Sequence, residues 1–283
     1  ISGHIKLSSG VTLNTSNGST ASDLSGGGDI ILAGGVDTNT DGFPDGFAKT
    51  DGTYGIQLDT GVKMYSGGGD VILRGETYDT SNNRHGIFQT GDLTVNSGTG
   101  SILMEGKNRS GYGSWSLQLG SGTVSNLSLI SAKTSEDAIT LKGTAGRYGI
   151  YMVGTTAATM ELLATGGGNI LLTADHEIQT TDDYQIETKG NGQITFKSVD
   201  EISLGQNNQL QTDNADIVLW TNPTASYSAT GHIKLSNGVT FNTANGSTAS
   251  DLSGGGDIIL AGGQDTDNDG KPDGFAKTTS TYG

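Results

Sequence analysis

Residues Gly67-Gly68-Gly69-Asp70-Val71-Ile72-Leu73 set a glycine turn directly before an acidic residue and a short aliphatic run. The phrase returns at Gly26-Gly27-Gly28-Asp29-Ile30-Ile31-Leu32, Gly166-Gly167-Gly168-Asn169-Ile170-Leu171-Leu172 and Gly254-Gly255-Gly256-Asp257-Ile258-Ile259-Leu260. Weaker copies stand at Gly100-Ser101-Ile102-Leu103-Met104, Gly192-Gln193-Ile194-Thr195-Phe196 and Asp216-Ile217-Val218-Leu219. Between them lie further short runs, such as Ile5-Lys6-Leu7 then Val11-Thr12-Leu13, and Tyr54-Gly55-Ile56-Gln57-Leu58 then Val62-Lys63-Met64-Tyr65. Each alternates apolar and polar residues, the period of a strand with one buried face. Helical spacing is confined to a short stretch at 157–165, so the chain reads as all-β.

Many short strands can build a sandwich, a propeller or a solenoid. Propeller blades need near-equal lengths, whereas the anchors Asp29, Asp70 and Ser101 are spaced by 41 and then 31 residues. A parallel β-solenoid tolerates that irregularity, because only the short strands must stack and the connections can bulge outward. The expected fold is therefore a parallel β-solenoid with Gly-rich turns, its core a column of Ile, Leu and Val.

A longer repeat encloses the short one. Residues 2–55 return at 230–283 with 44 of 54 positions identical, at a constant offset of 228 residues. The expected organisation is one complete unit at 1–228 and the start of the next at 229–283. With Ile1 at one end and Tyr282-Gly283 at the other, both ends are expected to be cuts through a longer tandem array.

Composition narrows the function classes. The 283 residues include 47 Gly, 3 Pro and no Cys, and carry a formal charge of −15. Disulfides and thiolate metal sites are excluded. The acidic balance gives no footprint for nucleic acid and repels anionic membranes. No apolar stretch approaches the roughly 18–20 residues that span a bilayer.

The runs GGGDIILAGG, GGGDVILRG, GGGNILLTA and GNGQITFKS, joined to HIKLSSGVTLNTSNG, resemble the filamentous-haemagglutinin-like exoproteins, the two-partner-secretion adhesins. The resemblance implies a right-handed parallel β-helix and an extracellular or cell-surface fibre that attaches bacteria to surfaces or to one another. The 228-residue repeat makes further copies of itself the expected partners, with surface glycans or other fibres beyond them, and no residue cluster in the sequence reads as catalytic, so no enzyme activity is expected. Two other readings are a non-covalent head-to-tail filament and a secreted β-helix enzyme acting on acidic polysaccharide, which the scarcity of Arg disfavours.

The sharpest local motif is Asp37-Thr38-Asn39-Thr40-Asp41-Gly42-Phe43-Pro44-Asp45, repeated as Asp265-Thr266-Asp267-Asn268-Asp269-Gly270-Lys271-Pro272-Asp273. Side-chain oxygens at positions 1, 3, 5 and 9, glycine at 6 and a carbonyl at 7 suit Ca²⁺. The expected ligands are thus Asp37, Asn39, Asp41, Asp45 and the Phe43 carbonyl, and Asp265, Asp267, Asp269, Asp273 and the Lys271 carbonyl. The loops resemble those of thrombospondin type 3 repeats and dockerins. Position 12 is Ala48 or Ala276, so the bidentate Glu of an EF-hand is missing and a weak, structural site is expected. An Asx-rich loop capping its own backbone is the competing reading.

Other candidates are weaker. His4, His85, His176 and His232 are isolated in sequence, and Asp182-Asp183 and Glu136-Asp137 read as solvated loop acids. Asn-x-Ser/Thr triplets at Asn14, Asn17, Asn108, Asn126 and Asn245 are expected by chance in such a composition. Trp115, Trp220 and Tyr54, Tyr78, Tyr112, Tyr148, Tyr151 and Tyr184 are read as packing along the solenoid rather than as a sugar-binding stripe.

Overall fold

The computed structural model describes residues 3–17, 26–78, 83–109, 114–121, 125–144, 148–155, 158–223, 231–244 and 255–276. They form eight stacked coils of three short strands, every ladder parallel. Coil 1 holds Ile5–Leu7 (β1), Thr12–Asn14 (β2) and Ile30–Leu32 (β3), continued by Ala48–Thr50 (β4). Coil 2 holds Tyr54–Leu58 (β5), Val62–Tyr65 (β6) and Val71–Thr77 (β7), and coil 3 His85–Gln89 (β8), Leu93–Asn96 (β9) and Ile102–Asn108 (β10). Coil 4 holds Trp115–Leu119 (β11), Leu127–Ser131 (β12) and Asp137–Thr144 (β13), and coil 5 Tyr148–Met152 (β14), Met160–Ala164 (β15) and Asn169–Ala174 (β16). Coil 6 holds Ile178–Thr180 (β17), Tyr184–Thr188 (β18) and Ile194–Ser198 (β19), and coil 7 Glu201–Leu204 (β20), Gln209–Gln211 (β21) and Ile217–Thr221 (β22). Coil 8 holds His232–Leu235 (β23), Thr240–Asn242 (β24) and Ile258–Gly262 (β25). First, second and third strands stack into three separate sheets. The fold is a parallel β-solenoid.

Register makes the core continuous. In the third sheet Ile30, Val71, Ile102, Ile139, Ile170, Ile194, Ile217 and Ile258 lie one above another. Successive coils on this ladder are 41, 31, 37, 31, 24, 23 and 41 residues long, because the connections vary while the rungs do not. Ile30 and Ile258 occupy the same position of the 228-residue repeat, so one sequence unit is seven whole coils.

The polar composition has work inside the coil as well as outside. Ser66, Ser97, Ser131, Thr188 and Thr212 are buried at the corner after the second strand. There Ser97 Oγ donates to Gly100 O at 2.6 Å and Ser131 Oγ to the same carbonyl at 2.7 Å, satisfying turn carbonyls that would otherwise be buried unpaired. Asp70 spans coils instead: Asp29 accepts its amide at 2.8 Å, and Asp70 accepts the Ser101 amide at 2.7 Å.

The one stretch with helical spacing is no exception to the all-β reading. The stretch with helical spacing holds strand β15, paired with β12 and β18, and its Met160, Leu162 and Ala164 point into the core. Stacking in register between two strands outweighs a weak local preference.

Candidate cation-binding loops

The Asp-rich segment is an insertion into a strand. β3 pairs with Val71–Leu73 and β4 with Gly75–Thr77 of the same strand β7, so residues 33–47 stand opposite Arg74 alone. An antiparallel bridge between Gly34 and Gly46 pinches the excursion at its neck, and Gly262 and Gly274 do the same in the second copy. At Gly34 a Cβ would lie 2.7 Å from Phe47 O, so the neck closes only without side chains.

Within the first loop the side chains fold onto their own backbone. Asp37 accepts the amides of Thr40 at 2.7 Å and Gly42 at 2.9 Å, Asn39 accepts that of Asp41 at 3.1 Å, and Asp41 that of Phe43 at 2.8 Å. Asp45 closes the loop by accepting the Thr38 amide and hydroxyl, both at 2.6 Å, and the Asn39 amide at 3.1 Å. Those donors, the Thr38 hydroxyl first, hold the Asp45 carboxyl below its usual range, and Thr266 does the same for Asp273. The turn passes through left-handed backbone at Gly42 (φ 91°) and Gly270 (φ 85°), a conformation only glycine adopts without strain.

In the second loop one carboxylate oxygen from each of Asp265, Asp267 and Asp269 lies within 4.8 Å of the others. Asp273 stands outside that group, its carboxylate bonded to the Thr266 amide at 2.6 Å. The Lys271 ammonium turns back to Asp216 at 2.9 Å and Asp257 at 3.3 Å, pinning the loop to coils 7 and 8. Phe43, its counterpart, is an exposed apolar side chain. Three acids converging on one point repel one another, an arrangement that a hard divalent cation relieves.

The remaining candidates have structural places. His176 meets Asp200 at 2.9 Å and His232 meets Glu201 at 2.9 Å, each bridging adjacent coils, while His4 is exposed. Asp182 accepts the Gln206 amide at 2.9 Å, and Lys133 pairs with Glu136 at 3.4 Å. Asn108 is buried, its amide donating to Arg84 O at 2.6 Å, and Asn126 accepts the Thr159 amide at 2.9 Å. Tyr112 and Asn245 lie outside the described residues. Tyr54 and Phe88 stack at 4.6 Å, as do Trp115 and Tyr151, so these ring faces are used against neighbouring coils.

His85 stacks on Phe88 at 4.9 Å and accepts the Trp115 amide on Nδ1 at 3.1 Å. Burial pushes its pKa from 6.5 down to about 4. Between these values the unfolded chain binds a proton that the folded chain refuses, so stability falls as pH drops from about 6.5 to about 4. The expected loss is about 2 kcal/mol between pH 7 and pH 4.5, read from urea unfolding at the two pH values. His85→Phe should abolish most of it.

A buried acid that the sequence did not single out sits beside the first loop. Glu76 is 1% exposed and faces Lys49 at 3.6 Å, Lys107 at 3.7 Å and Arg109 at 3.0 Å, with the Tyr78 hydroxyl donating to it at 3.2 Å. Lys49, Glu76 and Lys107 are consecutive rungs, as are Arg74, Glu105 and Lys142 two positions earlier, with Arg74 at 3.6 Å and Lys142 at 2.9 Å from Glu105. Only cross-coil register brings these charges together. Glu76→Gln should destabilise by about 1–3 kcal/mol, below the 3–5 of a fully buried pair because the three cations can regain water. Thermal unfolding beside Glu105→Gln checks it.

No family model, no curated protein and no solved structure matches this chain.

Proposed function

We propose that the chain is a section of a long, tandemly repeated β-solenoid fibre, an extracellular stalk of the kind the resemblance to filamentous-haemagglutinin-like adhesins implies. The observation that carries this reading is the match between sequence period and coil count: residues 30 and 258, one repeat apart, are seven whole rungs apart on one ladder. A unit of whole coils can be added without disturbing the register of the ladders, so length grows by duplication alone. The charge of −15 keeps such fibres soluble. Electron microscopy of native material tests the reading. Long thin fibres with an axial repeat of about 34 Å, seven rungs at about 4.8 Å, are expected. Compact separate particles would overturn it.

Within this function the Asp-rich loops bind Ca²⁺ and stiffen the excursions. Each supplies three side-chain ligands near the turn and a carbonyl at Phe43 or Lys271, fewer than the six to eight oxygens of a tight site. Calorimetric titration should therefore give dissociation constants on the order of 10⁻⁴–10⁻³ M, tighter for the loop with Asp267 than for the loop with Asn39. Asp267→Asn should bring the second loop to the level of the first. Chelation should loosen residues 36–53 in hydrogen exchange and leave the β signal intact; loss of that signal under EDTA would contradict a local role.

A further inference from the structure

We infer that each Asp-rich loop is a staple across the joint between consecutive repeat units, holding the first coil of one unit to the last coils of the unit before it. Calling that boundary a joint rests on the tandem-array reading, which the imaging above tests. The contacts themselves lie within this chain, because coil 7 ends one 228-residue unit and coil 8 begins the next.

The seat of the staple is strand β22 on coil 7. It is buried at every one of its positions, whereas β10 and β19 alternate buried with half-buried residues. Ile217, Leu219 and Thr221 continue the inward column of Ile194, Phe196 and Ser198, so Val218 and Trp220 belong to the outer face, yet they are 1% and 4% exposed. The second loop covers them. At one end of the loop the Trp220 indole donates to the Gly263 carbonyl at 2.7 Å, and near the other Lys271 reaches Asp216 at 2.9 Å, so the loop runs back along β22 over Val218. The Lys197 ammonium of coil 6 packs 3.8 Å from the Trp220 ring. Burial pushes this ammonium below its usual range, and Asp265 of the loop draws it back up. The column itself is built for the joint. The rungs before Trp220 carry Arg74, Glu105, Lys142, Thr173 and Lys197, and of these six positions only that of coil 7 is apolar.

The first loop shows the other side of the same arrangement, with contacts that run forward. Arg74 of coil 2 donates to the Asp45 carbonyl at 3.4 Å, and the Lys107 ammonium of coil 3 stands 5.6 Å from the Phe47 ring. Asp45 and Phe47 return in the second copy as Asp273 and Phe275, and Gly35 as Gly263. Taken together, the two copies give one loop that engages the two coils before its own and the two after it. Stability in a solenoid is a sum of coil terms and nearest-neighbour terms. A loop that reaches coils two rungs away ties together units that would otherwise open independently.

Release of the second loop tests the staple in the full chain. A Cβ on Gly274 would lie 2.5 Å from Gly262 O, so Gly274→Val should spring the neck while leaving the sequence of coils 1–7 intact. With Trp115→Phe leaving Trp220 as the one indole, acrylamide quenching of Trp220 should rise several-fold. Amide exchange in β23 and β24, which lie in the other two sheets, should speed by on the order of tenfold while coils 2–5 keep their rates. Lys271→Gln should move both readouts in the same direction by less. Trp220→Thr should also loosen β23 and β24, and adding Gly274→Val to it should cost little more, since both remove one contact. Unchanged quenching in Gly274→Val, a newly quenched Trp220 with unaltered exchange in β23 and β24, or additive losses in the double variant would overturn the inference.

Discussion

Gly106→Val is expected to break the solenoid between coils 3 and 4. At this position the long third strands β7, β10 and β13 run back over the first strands of the following coils, and the two sheets meet backbone to backbone. A Cβ on Gly106 would lie 1.9 Å from Ser116 O, and one on Gly75 would lie 2.2 Å from Gly86 O. No rotamer relieves a clash with a carbonyl, so the strands must part. The loss should exceed the roughly 1–3 kcal/mol of ordinary overpacking. A solenoid's stability is a sum of coil and neighbour terms, so the damage should be local. Thermal unfolding should show a lowered, split transition, and limited proteolysis should cut between residues 102 and 119 while coils 5–8 stay protected. Gly28→Ala, whose Cβ would meet nothing within 4 Å, should leave the transition unchanged. A single unshifted transition for Gly106→Val would mean that the two sheets do not converge as described.

Tyr184→Ala is the second large effect. Tyr184 is a fully buried side chain in coil 6, stacked in register on Met160. Its ring occupies space left by Gly154, where a Cβ would stand 3.1 Å from Cε2. Removing a buried aromatic ring in such a column should destabilise by about 3–5 kcal/mol. Tyr184→Phe should act in the opposite direction or not at all, because Tyr184 Oη has no hydrogen-bond partner among the described residues. Burial raises this hydroxyl well above 10. Above pH 10 the unfolded chain releases a proton that the folded chain keeps, so stability falls with rising pH and the phenylalanine variant should lose less. Urea midpoints at pH 7 and pH 10.5 for both variants read all of this. A larger loss for phenylalanine than about 1 kcal/mol would show that the hydroxyl is bonded after all.

The turn phrases at Gly26, Gly67 and Gly166 and the alternation after them specify strands whose inward residues the structure buries, and the unequal spacing of the anchors is the mark of a solenoid. Met160–Ala164 carried a weak helical spacing inside a chain read as all-β, because five residues are too few to separate a helical from an alternating pattern. The Asp-rich motif was legible as a loop, read first as a cation site and second as a loop capping its own backbone. That it interrupts a strand, with β3 and β4 on one partner, was not, since nothing local to residues 33–47 refers to Arg74. Glu76 was invisible for the same reason: Lys49, Lys107 and Arg109 lie 27, 31 and 33 residues from it.

The sequence by itself determined the local periods and the 228-residue copy, because alternation, glycine turns and self-similarity are properties of neighbours along the chain. Only the tertiary structure decided which residues became rungs of one ladder. Register across loops of unequal length is fixed by burying Ile30, Val71, Ile102 and their successors in a single column. That shared burial makes the repeat seven whole coils, threads the Asp loops through a strand, and sets three cations around one acid.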